Sequence, residues 1–290
     1  METRNEVAFI TGGTNGVGRA VAVEFAKKGF NVAVGYSNND KASVDTVGVL
    51  NEIHPAGVHT AIKADITTDD GRETIRQALE RGTQHTQLSH AVLAASGGLE
   101  QGKDHATYPH LINVDAQVNM VRMLAPKLMQ ASSTLTFVES HQAYYLGKTK
   151  QSPNGDQKAI APWDAINSLY RPIAESKHEG MLQILAMQGD FSSRLLIAST
   201  DIIPDTRVMK LAAMDLKRKN RAQFDSVDAA LAHILTTRRA ELDELGLDST
   251  LFTTTEFAAA IVAKATEPSW NKFAKVLLPD HLKEMAGEAE

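Results

Sequence analysis

The segment with the most chemical content is Thr11-Gly12-Gly13-Thr14-Asn15-Gly16-Val17-Gly18. It lies between a short apolar run, Val7-Ala8-Phe9-Ile10, and a stretch from Val17 to Lys28 in which Val21, Ala22 and Phe25 share one side at helical spacing. A strand that turns sharply into a helix aims the helix's free amides, and the positive end of its dipole, at whatever occupies the turn. The group that fits is a pyrophosphate. Gly12 can take backbone angles closed to other residues, Gly16 lets the chain approach the phosphates, and Gly18 lets the helix pack closely on the sheet. Thr14, Asn15 and Val17 complete the set expected to touch a dinucleotide cofactor at this turn.

Gly29 stands at the stop position of that helix, and Asn31-Val32-Ala33-Val34 follows as a second strand. A dinucleotide site selective for NAD usually ends this strand in a carboxylate, which grips the ribose 2′-hydroxyl and repels a 2′-phosphate. Here the strand ends Gly35-Tyr36-Ser37-Asn38, with Lys41 close by. Hydroxyl and amide groups at Ser37 and Asn38 tolerate a 2′-phosphate, so NADP(H) is favoured over NAD(H).

The elements that must position this turn continue in regular alternation. Helices are expected at about 40–53, 68–81, 109–131 and 172–187, and strands at 58–63, 90–94, 134–138 and 194–198. Alternating strands and helices with near-continuous apolar strands imply an α/β fold, a Rossmann-type doubly wound parallel sheet with helices on both faces. Two regions break the rhythm. Residues 147–162, rich in Lys, Gln, Pro, Asn and Gly, read as a long loop; after Asp201, helices near 205–218, 227–237 and 254–265 precede a last apolar run, Val276-Leu277-Leu278.

Composition narrows the rest. The 290 residues, 43% hydrophobic and 22% charged, suit one domain with ample core, and no internal repeat is visible. There is no cysteine, which removes disulfides, thiolate chemistry and cysteine zinc sites, and no metal site is expected. The net charge of -5 gives no general attraction to nucleic acid, and the basic cluster Lys217-Arg218-Lys219-Asn220-Arg221 is short enough to be a solvated helix end. No apolar stretch is long enough to span a bilayer, and Met1-Glu2-Thr3-Arg4-Asn5 running straight into a strand reads as leaving no room for a signal peptide. A cytoplasmic protein is expected.

The turn also carries a resemblance. Thr11, Gly12, Gly16 and Gly18 match the Thr-Gly-x-x-x-Gly-x-Gly pattern of the short-chain dehydrogenase/reductase superfamily, and the likeness extends over about 6–206. It implies that Asp65 accepts from the adenine amino group while Ile66 packs beside the ring, a turn or cap aspartate being the plain alternative. It implies that Asn113 holds a water in a proton relay, an exposed helix asparagine being the alternative. Where the family carries Asn-Asn-Ala-Gly this chain has Ala94-Ala95-Ser96-Gly97, so Gly97 still admits the nicotinamide ribose but both asparagines are gone.

The family's catalytic logic implies roles for three more residues. Ser140, after the fifth core strand, orients a substrate carbonyl; Lys177 binds the nicotinamide ribose and lowers the pKa of a proton-donating tyrosine. The usual tyrosine, four before the lysine, is replaced by Ile173. Tyr170, seven before Lys177, resembles the Tyr-x6-Lys spacing of divergent enoyl reductases in the superfamily. Seven residues on a helix return to one face roughly 10 Å along it, so the pair can serve one pocket. Pro172 suits a first helical position, however, and a helix starting there would leave Tyr170 in the preceding loop. Tyr144 and Tyr145 are the competing donors, and His141 reads as a structural or wall residue. The family's Pro-Gly before the nicotinamide-covering segment is Asp201-Ile202-Ile203-Pro204-Asp205-Thr206 here, with Thr206 keeping a hydroxyl for the carboxamide or pyrophosphate.

These features lead to the expectation of one domain over 1–290, with a dinucleotide-binding core to 200 and a C-terminal helical lid and segment over 201–290. The expected reaction is NADP(H)-dependent reduction of a ketone or aldehyde to an alcohol. A cofactor-binding redox sensor without turnover is the alternative from another class, and an enoyl-thioester reductase the lesser one. The helices at 109–131 and 172–187 match those by which the family pairs subunits, so the resemblance implies a homodimer or homotetramer.

Overall fold

The computed structural model describes residues 5–278 apart from 83–86, 98–102, 105, 145, 148, 160–166, 248 and 269–271. The chain begins β1 (Glu6–Thr11), α1 (Gly16–Lys27), β2 (Asn31–Tyr36), α2 (Asp40–Ile53), β3 (His59–Lys63), α3 (Asp69–Gly82) and β4 (Gln87–Leu93). It continues with the short α4 (Tyr108–His110), α5 (Ala116–Leu128), β5 (Thr134–Val138), the single turn α6 (His141–Tyr144), β6 (Thr149–Gln151) and β7 (Gln157–Ala159). The last elements are α7 (Asn167–Ala186), β8 (Arg194–Thr200), α8 (Arg207–Lys219), α9 (Val227–Glu244), α10 (Thr254–Thr266) and β9 (Phe273–Leu278).

Seven strands form one parallel sheet in the order β3-β2-β1-β4-β5-β8-β9. The period-two geometry of a strand divides the apolar residues between two faces. Phe9, Ala91, Leu93, Leu135, Phe137, Leu195 and Ile197 point to the face covered by α3, α5 and α7, where Ile75, Leu79, Val121 and Ile184 meet them. Their neighbours Ala8, Ile10, Val92, Val138, Leu196 and Ala198 point to the other, where Val21, Phe25, Phe257 and Ile261 of α1 and α10 pack. Each such side chain taken fully from water contributes roughly 1.5–3 kcal/mol, so the two layers are the main source of stability. This is the doubly wound fold that the alternation predicted. Successive strands are added outward from β1 in both directions, and the order reverses between β1 and β4. A crevice therefore opens at the carboxyl ends of these strands, where such folds bind ligands.

Four details differ from the sequence expectations. The segment 147–162 is not all loop: β6 and β7 form an antiparallel hairpin, turned at Gly155 with φ 93° and tied by the Ser152 N–H to the Asp156 carbonyl at 2.8 Å. Lys158 on this hairpin pairs with Glu244 of α9. The helix expected at 109–131 is interrupted by a π turn at Leu111–Asp115 and ends at Leu128. Helix α7 starts at Asn167, so Pro172 lies inside it and Tyr170 is helical; the proline omits only the bond its missing N–H would have made to the carbonyl of residue 168. Finally, only α8 and α9 form a separate apolar cluster, around Met209, Ala213, Phe224 and Ile234; α10 and β9 complete the core layers and are no part of a lid.

Candidate active site

The glycine turn has the geometry its sequence demanded. Gly12 and Gly16 hold φ of 63° and 50°, which side chains resist. A Cβ on Gly18 would lie 2.4 Å from the Gly12 carbonyl oxygen, so only glycine lets α1 approach the turn this closely. A Cβ on Gly16 would meet nothing within 4 Å, so this position faces open space. Asn15, the residue before α1, is extended and leaves the helix amides uncapped, its side chain bonding instead to Thr14 Oγ1 at 3.2 Å. Thr14 is buried, while Val17 is half-buried beside the turn. An open glycine facing uncapped helix amides is a cradle shaped for phosphate oxygens, so the residues present fit a dinucleotide.

Beyond the turn, Ser37 and Asn38 are exposed after β2. Asp40, two residues further, carries a carboxylate that accepts from Tyr36 Oη at 3.0 Å and from Lys63 Nζ at 2.8 Å. These bonds hold its pKa below the usual carboxylate value, Lys63 contributing most. Asp65 is exposed and accepts from the Thr67 N–H at 2.9 Å and the Thr67 hydroxyl at 2.7 Å, which is the turn-aspartate arrangement; Ile66 beside it is buried.

The end of β4 is braced without the family's asparagines. Thr11 Oγ1 accepts from the Ala94 and Ala95 amides, both at 3.1 Å, and Gln117 Nε2 donates to the Ala95 carbonyl at 2.6 Å. Asn113 then fixes Gly97 from both sides: its Nδ2 donates to the Gly97 carbonyl at 3.1 Å, and its Oδ1 accepts from the Gly97 N–H at 3.3 Å. The same Nδ2 donates to Ser176 Oγ at 2.9 Å. Asn113 is 1% exposed, so it is no surface asparagine. It sits in the π turn against α7, where a Cβ on Gly180 would be 2.2 Å from the Asn113 carbonyl oxygen.

Ser140 follows β5 and opens α6, its carbonyl accepting from the Ala143 and Tyr144 amides. Tyr170 Oη donates to Ser140 Oγ at 3.0 Å, across 30 residues of sequence. Tyr144 is 4% exposed and packs in the layer beneath α5 and α7, and Tyr145 lies outside the described residues. Lys177 reaches in from the next turns of α7, Nζ donating to the Val138 carbonyl at 3.4 Å. Burial pushes this lysine down to about 8, opposed by the charge of Glu139. Burial pushes the Tyr170 hydroxyl up; its bond to Ser140 opposes this and Glu139 adds to it. The expected lowering of the tyrosine by Lys177 is therefore not what this arrangement produces, because desolvation of the phenolate outweighs the favourable terms.

Thr206 also differs from expectation: its hydroxyl donates to the Ile203 carbonyl at 2.9 Å and accepts from the Met209 N–H at 3.4 Å, so it caps α8. Sequence reasoning missed Glu139 and the buried pair of Asp201 with Arg238. Gln117 had a signal, standing one helical turn after Asn113 on the same face; the others had none, because their partners come from distant elements.

The sequence model of the family described as short chain dehydrogenase matches residues 6–149. The short-chain dehydrogenase/reductase homolog YusS of Bacillus subtilis is 34% identical over 79 residues, covering 27% of this chain and 71% of the relative. The chain belongs to the short-chain dehydrogenase/reductase family. A 3-oxoacyl-acyl-carrier-protein reductase of Staphylococcus epidermidis is 28% identical over 135 residues, 44% of this chain, which spans about half, 53%, of that relative's length. Among solved structures, L-sorbose reductase from Gluconobacter frateurii, complexed with NADPH and L-sorbose, superposes with a TM-score of 0.70 at 16% identity, covering 96% of each chain. Actinorhodin polyketide ketoreductase with NADPH gives 0.69 at 15% identity, covering 97% of this chain and 99% of its own. The family is one of oxidoreductases that use nicotinamide cofactors. Among the described residues, no helix is long and apolar enough to cross a membrane.

Proposed function

We propose that this chain is an NADP(H)-dependent reductase that converts a ketone or aldehyde to an alcohol, with Tyr170 as proton donor. The observation that carries the reading is the bond from Tyr170 Oη to Ser140 Oγ at 3.0 Å, since it places a proton donor and an orienting hydroxyl together at the carboxyl end of β5. Lys177 enters from the same helix two turns on, and the glycine turn lies at the same edge of the sheet.

The chemistry supplied by the bound cofactor is delivery of a hydride to the carbonyl carbon. The turn at Gly12, Thr14, Asn15, Gly16, Val17 and Gly18 would hold the pyrophosphate, Asp65 and Ile66 the adenine, and Gly97 with Lys177 the nicotinamide ribose. Ser140 holds the carbonyl oxygen, and Tyr170 gives it a proton as negative charge develops there. Asn113, bonded to Gly97 and Ser176, keeps β4 and α7 in register around the site. The preference for NADP(H) over NAD(H) is supported by the exposed Ser37 and Asn38 and by Lys63, whose cation offsets the Asp40 carboxylate near the expected 2′ position. We propose a single domain throughout, and a homodimer or homotetramer through α5 and α7, on which Leu111 just before α5 and Leu182 are 39% and 51% exposed.

Purified protein should oxidise NADPH with a carbonyl from a broad panel, and Tyr170→Phe should abolish this. Full activity in that variant would remove Tyr170 from the mechanism. The upward shift of the Tyr170 hydroxyl favours a second reading, a sensor of the NADP redox state without turnover; tight NADPH binding with no turnover on any carbonyl or enoyl substrate would select it.

A further inference from the structure

Glu139 is a carboxylate with 3% exposure at the end of β5, where the fold offers little water to solvate it. Its backbone is pinned, the N–H donating to the Ala198 carbonyl of β8 at 2.8 Å. It stands between two residues that α7 grips: the carbonyl of Val138 receives Lys177 Nζ at 3.4 Å, and the hydroxyl of Ser140 receives Tyr170 Oη at 3.0 Å. Lys177 is itself 9% exposed, so a buried amine and a buried carboxylate both lie at the seam between β5 and α7, the amine against the carbonyl of the residue before Glu139. A buried charge of either sign is costly alone and becomes tolerable with an opposite charge near it.

We propose that Glu139 is a positioning residue of this site, the buried counter-charge that keeps Lys177 in its cationic form behind the Ser140–Tyr170 pair. The inference deepens the reductase reading and rests on it for its catalytic meaning. The Glu139 charge acts on both of these ionisable groups of α7: it favours the charged lysine and the protonated tyrosine. A cation at Lys177 attracts the ribose hydroxyl oxygens and the developing charge on the substrate oxygen, whereas a neutral amine does so weakly.

The test follows the Lys177 amine directly, in protein whose lysines carry 13C-methyl labels, with Lys177→Arg assigning the signal. Glu139→Gln should move the Lys177 titration down by about one pH unit, and Glu139→Asp should leave it close to that of the unmodified protein. An unchanged titration in Glu139→Gln overturns the proposal. If that variant does not fold, a stability cycle decides: Lys177→Met removes the proposed counter-charge, so Glu139→Gln/Lys177→Met should be more stable than Lys177→Met alone, and equal or lower stability of the double variant overturns the pairing. Neither readout needs turnover, so a chain that reduces no carbonyl would defeat the reductase reading while leaving the Glu139–Lys177 pairing to be judged separately. Where turnover is found, Glu139→Gln should lower kcat/KM about threefold at pH 7.5 and less at lower pH, while loss through misplacement alone would be equal at both.

Discussion

Arg238 of α9 forks onto the carboxylate of Asp201, with Nη2 donating to Oδ2 at 2.7 Å and Nε to Oδ1 at 3.0 Å, and both side chains are at most 2% exposed. Asp201 follows β8 directly, and His141 Nδ1, next to Ser140, lies 3.5 Å from the same carboxylate. The ion pair therefore joins α9 to the sheet edge that carries Ser140. Removing one partner of a buried pair strands the other charge, which costs about 3–5 kcal/mol. Arg238→Met should lower unfolding stability by that much in urea melts, and Arg238→Met/Asp201→Asn should recover a large part of it. A loss under 1 kcal/mol would show that water reaches the pair.

Catalysis and binding should separate at the Ser140–Tyr170 bond. Tyr170→Phe and Ser140→Ala each remove a group proposed to act on the substrate and leave the glycine turn untouched. Both should reduce kcat/KM by about 100-fold or more, the usual contribution of acid–base groups, while NADPH affinity measured by fluorescence changes little.

Two glycines of the turn should fail in different ways. Gly18→Ala sets a Cβ 2.4 Å from the Gly12 carbonyl, a contact with backbone that cannot move freely, so unfolding stability should fall by roughly 1–3 kcal/mol. Gly16→Ala meets no atom within 4 Å and suffers only the strain of positive φ, about 1–2 kcal/mol. Its methyl instead enters the space proposed for phosphate. Calorimetric titration with NADPH should show a large loss of affinity for Gly16→Ala in protein that remains folded at 25 °C.

The two buried charges on the sheet edge both make stability rise with pH, in two separate windows. Lys177 is held down at about 8, below the value of about 10.4 in an unfolded chain, so between these values the unfolded state binds more protons and stability from this group rises with pH. Asp201 is held well below the usual carboxylate value: burial acts to raise it, and the Arg238 charge with bonds to His141 and Arg238 outweighs that. Its contribution is present above the unfolded value of about 3.9 and is lost as pH falls below it. Urea midpoints from pH 3 to 10 should show both trends, and Lys177→Met should remove the alkaline rise alone. Because the proposed mechanism needs the cationic lysine, kcat/KM should fall above about pH 8.

Much of the site could be read in one dimension because it is local. The turn from Thr11 to Gly18 is contiguous, its glycines are demanded by φ and by backbone approach, and the structure has both features where expected. Helix α7 was harder: Pro172 suggested a start that would have left Tyr170 in a loop, but the helix runs through it from Asn167, since packing against α5 and the π turn outweighs one missing hydrogen bond. The hairpin of β6 and β7 was hidden because its short strands lack an apolar pattern. Thr206 matched the family position but is committed to capping α8.

The strand–turn–helix glycine turn, the alternating order that makes the parallel sheet, and the candidates Ser140, Tyr170 and Lys177 were all legible in sequence, because backbone angles, periodicity and residue type are properties of short segments. The three-dimensional packing was needed to show that Tyr170 bonds to Ser140, that Thr11 and Gln117 brace β4 where asparagines are missing, that Glu139 is buried, and that Asp201 is buried against Arg238. Each of those facts joins residues tens of positions apart, and burial, which sets their ionisation, exists only once the layers have closed over them.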